Sequence, residues 1–284
     1  MAKKPRFFMV ERDGRVVIWR FYNPPNNIFN PDTAQEFNDL VEELYANPEL
    51  RVGILTSAMP DVFILHWDVG NLVQSGEAMQ QQKTAPEPPV DWSPRGVYRR
   101  GPKVVIAAIN ANVSGGGLEL SMACDFRFMA KNAAASQSEV NVGILPGGGG
   151  TQRMTRLVGL PKAMELMLTG RPVYAEEAER IGLITRAVDP MMLMTETLNF
   201  AKAMAERPPL AVAHIKKCIY EGCDMEISEG LMMESKLFQE LVKSPEAMER
   251  MRAYVATGQP SPRQRVQMEL EATHKKWKEY QENH

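Results

Sequence analysis

Short strand-like runs alternate with helical repeats as far as about residue 190, and beyond that point the pattern is almost entirely helical. Arg6–Glu11 and Arg15–Phe21 are β-rich runs joined at Asp13-Gly14, which predicts a hairpin. A helix at 31–46 and a buried strand at Val52–Thr56 follow. Strands and helices that alternate in this way bury their apolar faces on a shared sheet. The chain is therefore predicted to be an α/β protein with a helical C-terminal part.

The remaining predicted elements complete that division. Strands are predicted at Lys103–Ile109, Phe126–Met129 and Leu183–Val188. Helices are predicted at Gly115–Ala123, Pro161–Thr169, Tyr174–Ile181, Met191–Ala205, Pro209–Tyr220, Glu226–Val242 and Pro245–Val255. Between Gln74 and Gly101, a glutamine run and a proline-rich stretch predict an irregular excursion. We expect residues 1–190 to form the sheet-bearing core, and 191–284 to form a helical region with a polar tail at 257–284.

Composition and charge argue against several classes of partner. The net charge of −2 gives no general attraction to nucleic acid or to an anionic membrane. No apolar run approaches the roughly 20 residues that a spanning helix needs. The three cysteines lack disulfide or metal spacing, and His214, His274 and His284 also lack metal-ligand spacing. We therefore expect a cytoplasmic protein without a metal, a nucleic-acid partner or a membrane association.

A glycine-rich turn joins a predicted strand to a predicted helix at residues 109–119. Gly115-Gly116-Gly117 open the helix, and Glu119 stands in its first turn. Glycines let a ligand approach the backbone, and the first N–H groups of a helix have no internal partner. The turn fits a phosphate or a developing oxyanion, although neither common nucleotide-binding glycine motif is present. The alternative is a tight structural turn in which Glu119 is a surface residue near the helix dipole.

A second glycine-rich segment carries Glu139. This glutamate precedes an apolar run, and Gly147–Gly150 lead into another predicted helix. A buried carboxyl among apolar neighbours has a raised pKa, which suits proton transfer, whereas a glutamate in an open loop is simply solvated. Because Glu119 and Glu139 each lie beside a glycine-rich helix start, they are the candidate acid and base.

Together the two segments resemble the paired signatures of the crotonase (enoyl-CoA hydratase/isomerase) superfamily. The residues that carry the resemblance are Ile109-Asn110, Gly115-Gly116-Gly117, Glu119-Leu120 and Cys124-Asp125, then Glu139, Gly143, Pro146-Gly147 and Gly149-Gly150-Thr151-Gln152-Arg153. The resemblance covers about Arg6 to Val255. It implies a spiral of repeated strand-strand-helix units, with residues 1–190 as the acyl-CoA-binding core. It also implies that the helices of 191–284 form a homotrimer, often paired into a homohexamer.

The resemblance further implies the chemistry. The N–H groups of Trp67 and Gly116 would form an oxyanion hole for a thioester carbonyl. Glu119 would activate water, and Glu139 would exchange a proton with the substrate α-carbon. The presence of both glutamates favours hydration or dehydration over simple isomerisation. The substrate would be an acyl-CoA thioester, so coenzyme A is part of the substrate and no separate cofactor is expected.

The segment before Trp67 departs from the family pattern. Leu65, His66 and Trp67 stand where small residues are expected, and Gly70 stands where hydratases often carry a basic residue near the nucleotide phosphates. Arg99-Arg100 and the Lys275–Lys278 cluster either replace that residue or belong to a solvated face. The positions predicted to contact substrate are Ile28, Leu65, His66 and Val69.

Two residues of this segment keep two interpretations each. His66 is either a third acid/base group, which favours a hydrolase of a thioester or β-diketone or a carbon–carbon lyase, or a packed histidine. Trp67 either stacks on a substrate ring or adenine, or lines the pocket. A different hypothesis is a non-catalytic scaffold that has kept the fold and uses its basic tail to contact a partner.

Overall fold

The protein forms two compact units, Met1–Gly230 and Leu231–His284. The structure is a computed structural model that describes residues 6–81, 101–256, 266–267 and 270–271. The boundary predicted at residue 190 lies inside the first unit. The polar tail at 257–284 lies outside the described residues except for four positions, and Arg99-Arg100 and Lys275–Lys278 lie wholly outside them.

A six-stranded sheet forms the centre of the first unit. Its strands are β1 (Phe8–Asp13), β2 (Val16–Phe21), β3 (Val52–Ser57), β4 (Val104–Ile109), β6 (Phe126–Ala130) and β9 (Arg186–Val188), in the order β1-β2-β3-β4-β6-β9. The β1–β2 hairpin is antiparallel, and every other pairing in this sheet is parallel. Every residue of β3 and β4 is buried, as is typical of central parallel strands covered on both faces.

A smaller sheet and the helices surround this centre. The second sheet pairs β5 (Val113–Ser114), β7 (Ala134–Ser136) and β8 (Val173–Tyr174). The helices of the first unit are α1 (Pro31–Ala46), α2 (Val69–Gln81), α3 (Gly116–Ala123), α4 (Gly150–Val158), α5 (Leu160–Thr169), α6 (Ala175–Arg180), α7 (Leu193–Ala205) and α8 (Pro209–Gly222). A 3-10 turn spans Glu139–Val142. Helix α9 (Ile227–Lys243) begins at the end of the first unit, and α10 (Pro245–Ala256) lies in the second.

Helix α1 forms where the sequence predicts it. Asn30 accepts a bond from the N–H of Thr33 at 2.9 Å, and the Thr33 hydroxyl accepts from the N–H of Asn30 at 2.8 Å. This capping box satisfies two groups that a helix start leaves unpaired. Pro31 occupies the first turn, where its missing N–H costs nothing. The face that α1 buries carries Ala34, Phe37, Leu40, Val41 and Leu44.

Two predicted boundaries are wrong. Helix α2 continues to Gln81, so the excursion predicted from Gln74 begins too early; residues 82–100 lie outside the described part of the chain. The strand predicted at Leu183–Val188 is limited to β9. The N–H groups of Leu183 and Ile184 bond the Ala178 carbonyl in a turn after α6, so they are not available to a sheet. Within the described residues, no helix combines the length and apolar character needed to cross a membrane.

A buried ion pair fastens α8 to the sheet. The Lys216 ammonium lies 2.8 Å from Asp125, which also accepts a bond from the Tyr220 hydroxyl at 2.7 Å and from the Val105 N–H at 2.8 Å. The Lys216 ammonium also bonds the Lys103 carbonyl. The two charged side chains are only 9% and 6% exposed. Losing either one therefore leaves an uncompensated charge in the interior.

We expect Lys216→Met to lower the free energy of unfolding by about 3 kcal/mol or more, because Asp125 loses its buried counter-ion. Urea denaturation monitored by circular dichroism measures this change. Arg12→Met is the matched control, because the Arg12–Glu43 pair is 52% exposed on both sides and should contribute less than about 1 kcal/mol. Equal effects of the two substitutions would contradict the role given to the Lys216 pair.

Candidate active site

The backbone of Gly116 lies close to the amide nitrogen of Trp67. A methyl group on Gly116, the first residue of α3, would lie 3.2 Å from the Trp67 nitrogen. The His66 carbonyl accepts a bond from the Phe29 N–H at 2.9 Å. Since the C=O and N–H of a trans peptide point in opposite directions, the Trp67 N–H points away from Phe29. The Gly116 N–H has no acceptor within its own helix, because it lies in the first turn.

The close approach at α3 requires glycine. A methyl group on Gly117 would lie 2.2 Å from the carbonyl oxygen of Ile64, which is shorter than any permitted van der Waals contact. Gly115 has a φ of +50°, which side-chain-bearing residues rarely adopt. The glycine run therefore brings α3 against the segment that ends at Trp67.

Glu119 is buried in the first turn of α3, only 4% exposed. One carboxyl oxygen accepts a bond from the Gly150 N–H at 2.7 Å. The pKa of Glu119 is raised to about 7, mainly by burial; the nearby Glu139 also raises it, while the bonds from Gly150 and Gly148 and the charge of Arg153 oppose the shift. The interpretation of Glu119 as a surface residue is therefore wrong.

Glu139 begins the 3-10 turn and is held from one side. Its Oε1 accepts a bond from the Gln137 amide at 3.1 Å. Its Oε2 is buried and, within the described residues, has no hydrogen-bond partner. Burial raises the pKa of Glu139, and the charge of His66 opposes that shift. Glu139 is therefore not a solvated loop glutamate.

Gln137 and a glycine loop position the two carboxyl groups, and sequence reasoning assigned these residues no role. A methyl group on Gly150 would meet both Gln137 Nε2, at 2.8 Å, and Glu119 Oε1, at 2.9 Å. Gln137, whose Nε2 also bonds Glu139, thus lies between the carboxyls. A methyl on Gly148 would lie 2.7 Å from Glu119 Oε2. The Arg153 guanidinium fixes this loop by donating to the Gly148 carbonyl at 2.8 Å. The sequence signal was the small-residue run before an arginine on α4.

His66 lies next to Glu139. A methyl group on Gly115 would lie 3.2 Å from Glu139 Oε1 and 3.4 Å from His66 Cβ. The His66 Nδ1 is 2.6 Å from the Trp67 carbonyl oxygen. Since a carbonyl only accepts, Nδ1 carries the hydrogen, and in the neutral ring Nε2 is unprotonated.

A cavity of about 520 Å³ collects most of the predicted site residues. Both glutamates, both candidate amides, His66 and Val69 line it. Ile28 and Leu65 are not among the described residues that line it, although their neighbours Phe29 and His66 are. The remaining lining residues are mainly apolar or small: Phe29, Ala34, Leu72, Ser75, Gly76, Met79, Gly115, Leu120, Ser138, Val142, Ile144, Leu145, Gly147 and Gly148. The Trp67 ring packs edge-on against Phe29, with 6.2 Å between centroids.

This geometry suits acid/base chemistry on a polarised carbonyl. Two amides that approach the same point can stabilise an oxyanion. Two carboxyls with raised pKa can supply and remove protons, and the pKa of about 7 at Glu119 lies near neutral pH. Among the described residues, no group of three or more His, Cys, Asp or Glu side chains is placed to hold a metal ion.

Comparison with known proteins shows which family this arrangement belongs to. The family model described as Enoyl-CoA hydratase/isomerase matches residues 11–265. The chain therefore belongs to the enoyl-CoA hydratase/isomerase family, and the family resemblance found in the sequence is confirmed.

Individual relatives cover most of the chain. It is 33% identical over 251 residues to the short-chain-enoyl-CoA hydratase of Clostridium acetobutylicum, covering 87% of this chain and 94% of the relative. It is 32% identical over 248 residues to the crotonyl-CoA hydratase of Syntrophomonas wolfei, with the same coverage. The crystal structure of enoyl-CoA hydratase from Bacillus anthracis superposes with a TM-score of 0.79 at 28% identity, covering 89% of this chain and 97% of that one. The predicted fold class is confirmed.

Protonation of Glu119 should be visible in stability. Its usual pKa is 4.5 and its folded pKa is about 7, so the folded protein holds the proton more tightly and stability falls as pH rises through this window. Glu119→Gln removes this loss. We expect the difference in unfolding free energy, variant minus wild type, to grow by about 3 kcal/mol between pH 4 and pH 8.

Urea unfolding at several pH values measures that difference. Glu43→Gln is the control, because the Glu43 carboxyl is 52% exposed and its difference should change by less than about 1 kcal/mol. If the Glu119→Gln difference stays constant with pH, the raised pKa is refuted.

Proposed function

We propose that this protein, a crotonase-type acyl-CoA hydratase and thus a lyase, adds water reversibly to the double bond of an enoyl-CoA thioester through Glu119, Glu139 and the amides of Trp67 and Gly116. The observation that carries the proposal is that Glu119, Glu139, Trp67 and Gly116 line one cavity. Relatives named short-chain-enoyl-CoA hydratase and crotonyl-CoA hydratase support the same reaction.

The amides act on the thioester. Their N–H groups donate to the carbonyl oxygen, whose negative charge grows as water adds at the β-carbon. Donors aimed at a developing oxyanion contribute about 3 kcal/mol each to the barrier reduction. The donors belong to the backbone, so the bulky side chain of Trp67 does not remove its N–H from this role.

The two glutamates handle the protons. Glu119, as carboxylate, takes a proton from water, and the oxygen of that water bonds to the β-carbon. Glu139, as carboxylic acid, gives its proton to the α-carbon. This protonation neutralises the enolate and restores the thioester carbonyl. A pKa of about 7 at Glu119 suits a base at neutral pH, and burial raises the pKa of Glu139 above its usual value.

The acyl group is expected to be apolar. Val69, Leu72 and Met79 of α2 line the cavity, and so do the apolar side chains of Ile144 and Leu145. Such walls gain free energy by removing hydrocarbon from water. The substrate is then an apolar enoyl thioester, with coenzyme A as part of the substrate and no separate cofactor.

A thioester or β-diketone hydrolase is the second candidate. The observation in its favour is that His66 lines the cavity beside Glu139, where it is placed to act on a second water. Hydratase and hydrolase differ in product, because only the hydrolase acting on a thioester releases free coenzyme A.

Incubation with crotonyl-CoA tests both functions. We expect loss of the enoyl thioester absorbance without release of a free thiol, and we expect Glu119→Gln and Glu139→Gln each to lower kcat by about 10²- to 10⁴-fold, since each removes a proton-transfer group. Circular dichroism checks that the variants fold. Thiol release that survives in both variants would favour the hydrolase and reject the hydratase.

Gly116→Ala tests the oxyanion hole separately. The added methyl would lie 3.2 Å from both the nitrogen and Cβ of Trp67, so the amides would have to move apart. We expect kcat for crotonyl-CoA to fall by about 10²-fold or more, whereas Gly230→Ala on α9, outside the cavity lining, whose methyl would meet its nearest atoms at an ordinary 3.7 Å, should keep kcat within a few-fold. Equal kcat in wild type and Gly116→Ala would argue against an oxyanion role for these amides.

Assembly and location stay predictions. We propose a homotrimer or homohexamer on the strength of the family resemblance. Exposed Leu210, Ile215 and Ile219 on α8 are apolar side chains of the kind that a subunit contact covers. A cytoplasmic location, expected from the cysteine pattern, likewise awaits a test.

A further inference from the structure

His66 has a nitrogen that the rest of the protein does not use. Its Nδ1 is engaged by the Trp67 carbonyl at 2.6 Å, which fixes the ring. Within the described residues no hydrogen bond reaches Nε2, and this atom is not among the buried unpartnered ones. The ring lines the cavity. Nε2 is therefore neither buried nor bonded to a described residue, and it belongs to a side chain that lines the cavity.

Among the described residues, few titratable side chains share the cavity with the His66 ring. Among the described residues that line the cavity, the titratable ones are Glu119, Glu139 and His66. Asp68, two positions along the chain, accepts hydrogen bonds from the N–H groups of Gly70, at 2.8 Å, and Asn71, at 3.4 Å. Glu139 is the carboxyl that shares the Gly115 contact point with His66.

The proposed hydration leaves the protons misplaced. Each turnover moves one proton from water to Glu119 and one from Glu139 to the α-carbon. The product leaves an enzyme with Glu119 protonated and Glu139 ionised, the reverse of the starting state. Before the next turnover, Glu119 must lose a proton and Glu139 must gain one.

We propose that His66 restores the proton on Glu139 through Nε2, an inference that rests on the proposed hydratase function. The imidazolium gives its Nε2 proton to the Glu139 carboxylate, and the neutral ring then takes a proton from solvent. Glu119 releases its proton to solvent, so charge and protons balance over the cycle. Imidazole suits this exchange because it gains and loses protons readily near neutral pH. The unpartnered, buried Oε2 of Glu139 provides an acceptor that no described residue occupies.

This role differs from a structural one in its kinetics. A ring that only fixes the Trp67 backbone affects every turnover equally, because the oxyanion donor is needed each time. A ring that returns a proton to Glu139 is not needed in the first turnover, because the starting state of the proposed reaction has that proton on Glu139. Single-turnover and steady-state rates therefore separate the two roles.

The test uses crotonyl-CoA with wild type, His66→Gln and His214→Gln, which makes the same substitution on α8, outside the cavity lining. With enzyme in excess, stopped-flow absorbance gives the first-turnover rate; with substrate in excess, it gives kcat. For His66→Gln we expect a first-turnover rate within about threefold of wild type and a kcat lower by about tenfold or more. His214→Gln should match wild type in both.

A second variant tests proton transfer directly. His66→Gly removes the ring and leaves room for a small base, so added imidazole should raise its kcat in proportion to concentration while leaving wild type unchanged. The proposal is overturned if His66→Gln keeps the wild-type kcat. It is also overturned if first-turnover rate and kcat fall together and imidazole restores neither. A wild-type protein that does not hydrate crotonyl-CoA refutes the proposed function itself, which these variants do not address.

Discussion

The absence of side chains at the start of α3 is the constraint on which the site depends. Gly117 allows the helix to reach the Ile64 carbonyl at a distance that no methyl group would permit. That contact sets Gly116 beside the Trp67 nitrogen, and it places Glu119, two residues further on, inside the protein. The same turn thus determines where a carbonyl oxygen would be held and where a carboxyl would act. Neither position can be changed without the other.

The site is organised at a cost in stability. Burial makes the charged form of Glu119 unfavourable, and the backbone bond from Gly150 recovers only part of that cost. Glu139 keeps a buried oxygen without a partner among the described residues. Buried polar atoms of this kind are usually satisfied in folded proteins, and exceptions are common at functional sites. The ion pair of Lys216 and Asp125 lies elsewhere in the same unit, and both of its charged groups have hydrogen-bond partners. This buried charge is structural, in contrast to the carboxyls of the candidate site.

The sequence predicts the α/β class, the six strands of the larger sheet, α1 and most of the residues that line the candidate site, because each has a local signal. Asn30 and Pro31 indicate a helix start, and the glycines before Glu119 indicate a turn that a ligand can approach. The extent of α2 could not be predicted, since its apolar residues face a cavity and give no core-facing repeat. The role of Gln137 could not be predicted either, because it depends on β7 and α4 meeting in three dimensions. Burial of Glu119 was left open for the same reason: whether a first-turn glutamate is exposed depends on what the fold places over it.

Helix α2 differs from the other helices of the first unit in its burial. None of its residues is buried, although Leu72 and Met79 are apolar and line the cavity. A helix in a protein is stabilised mainly by packing an apolar face against something. If the proposed apolar acyl group binds here, its hydrocarbon takes the place of the missing core side chains. Binding of such a molecule would then stabilise α2. A change that weakens the binding would also reduce this stabilisation of the helix.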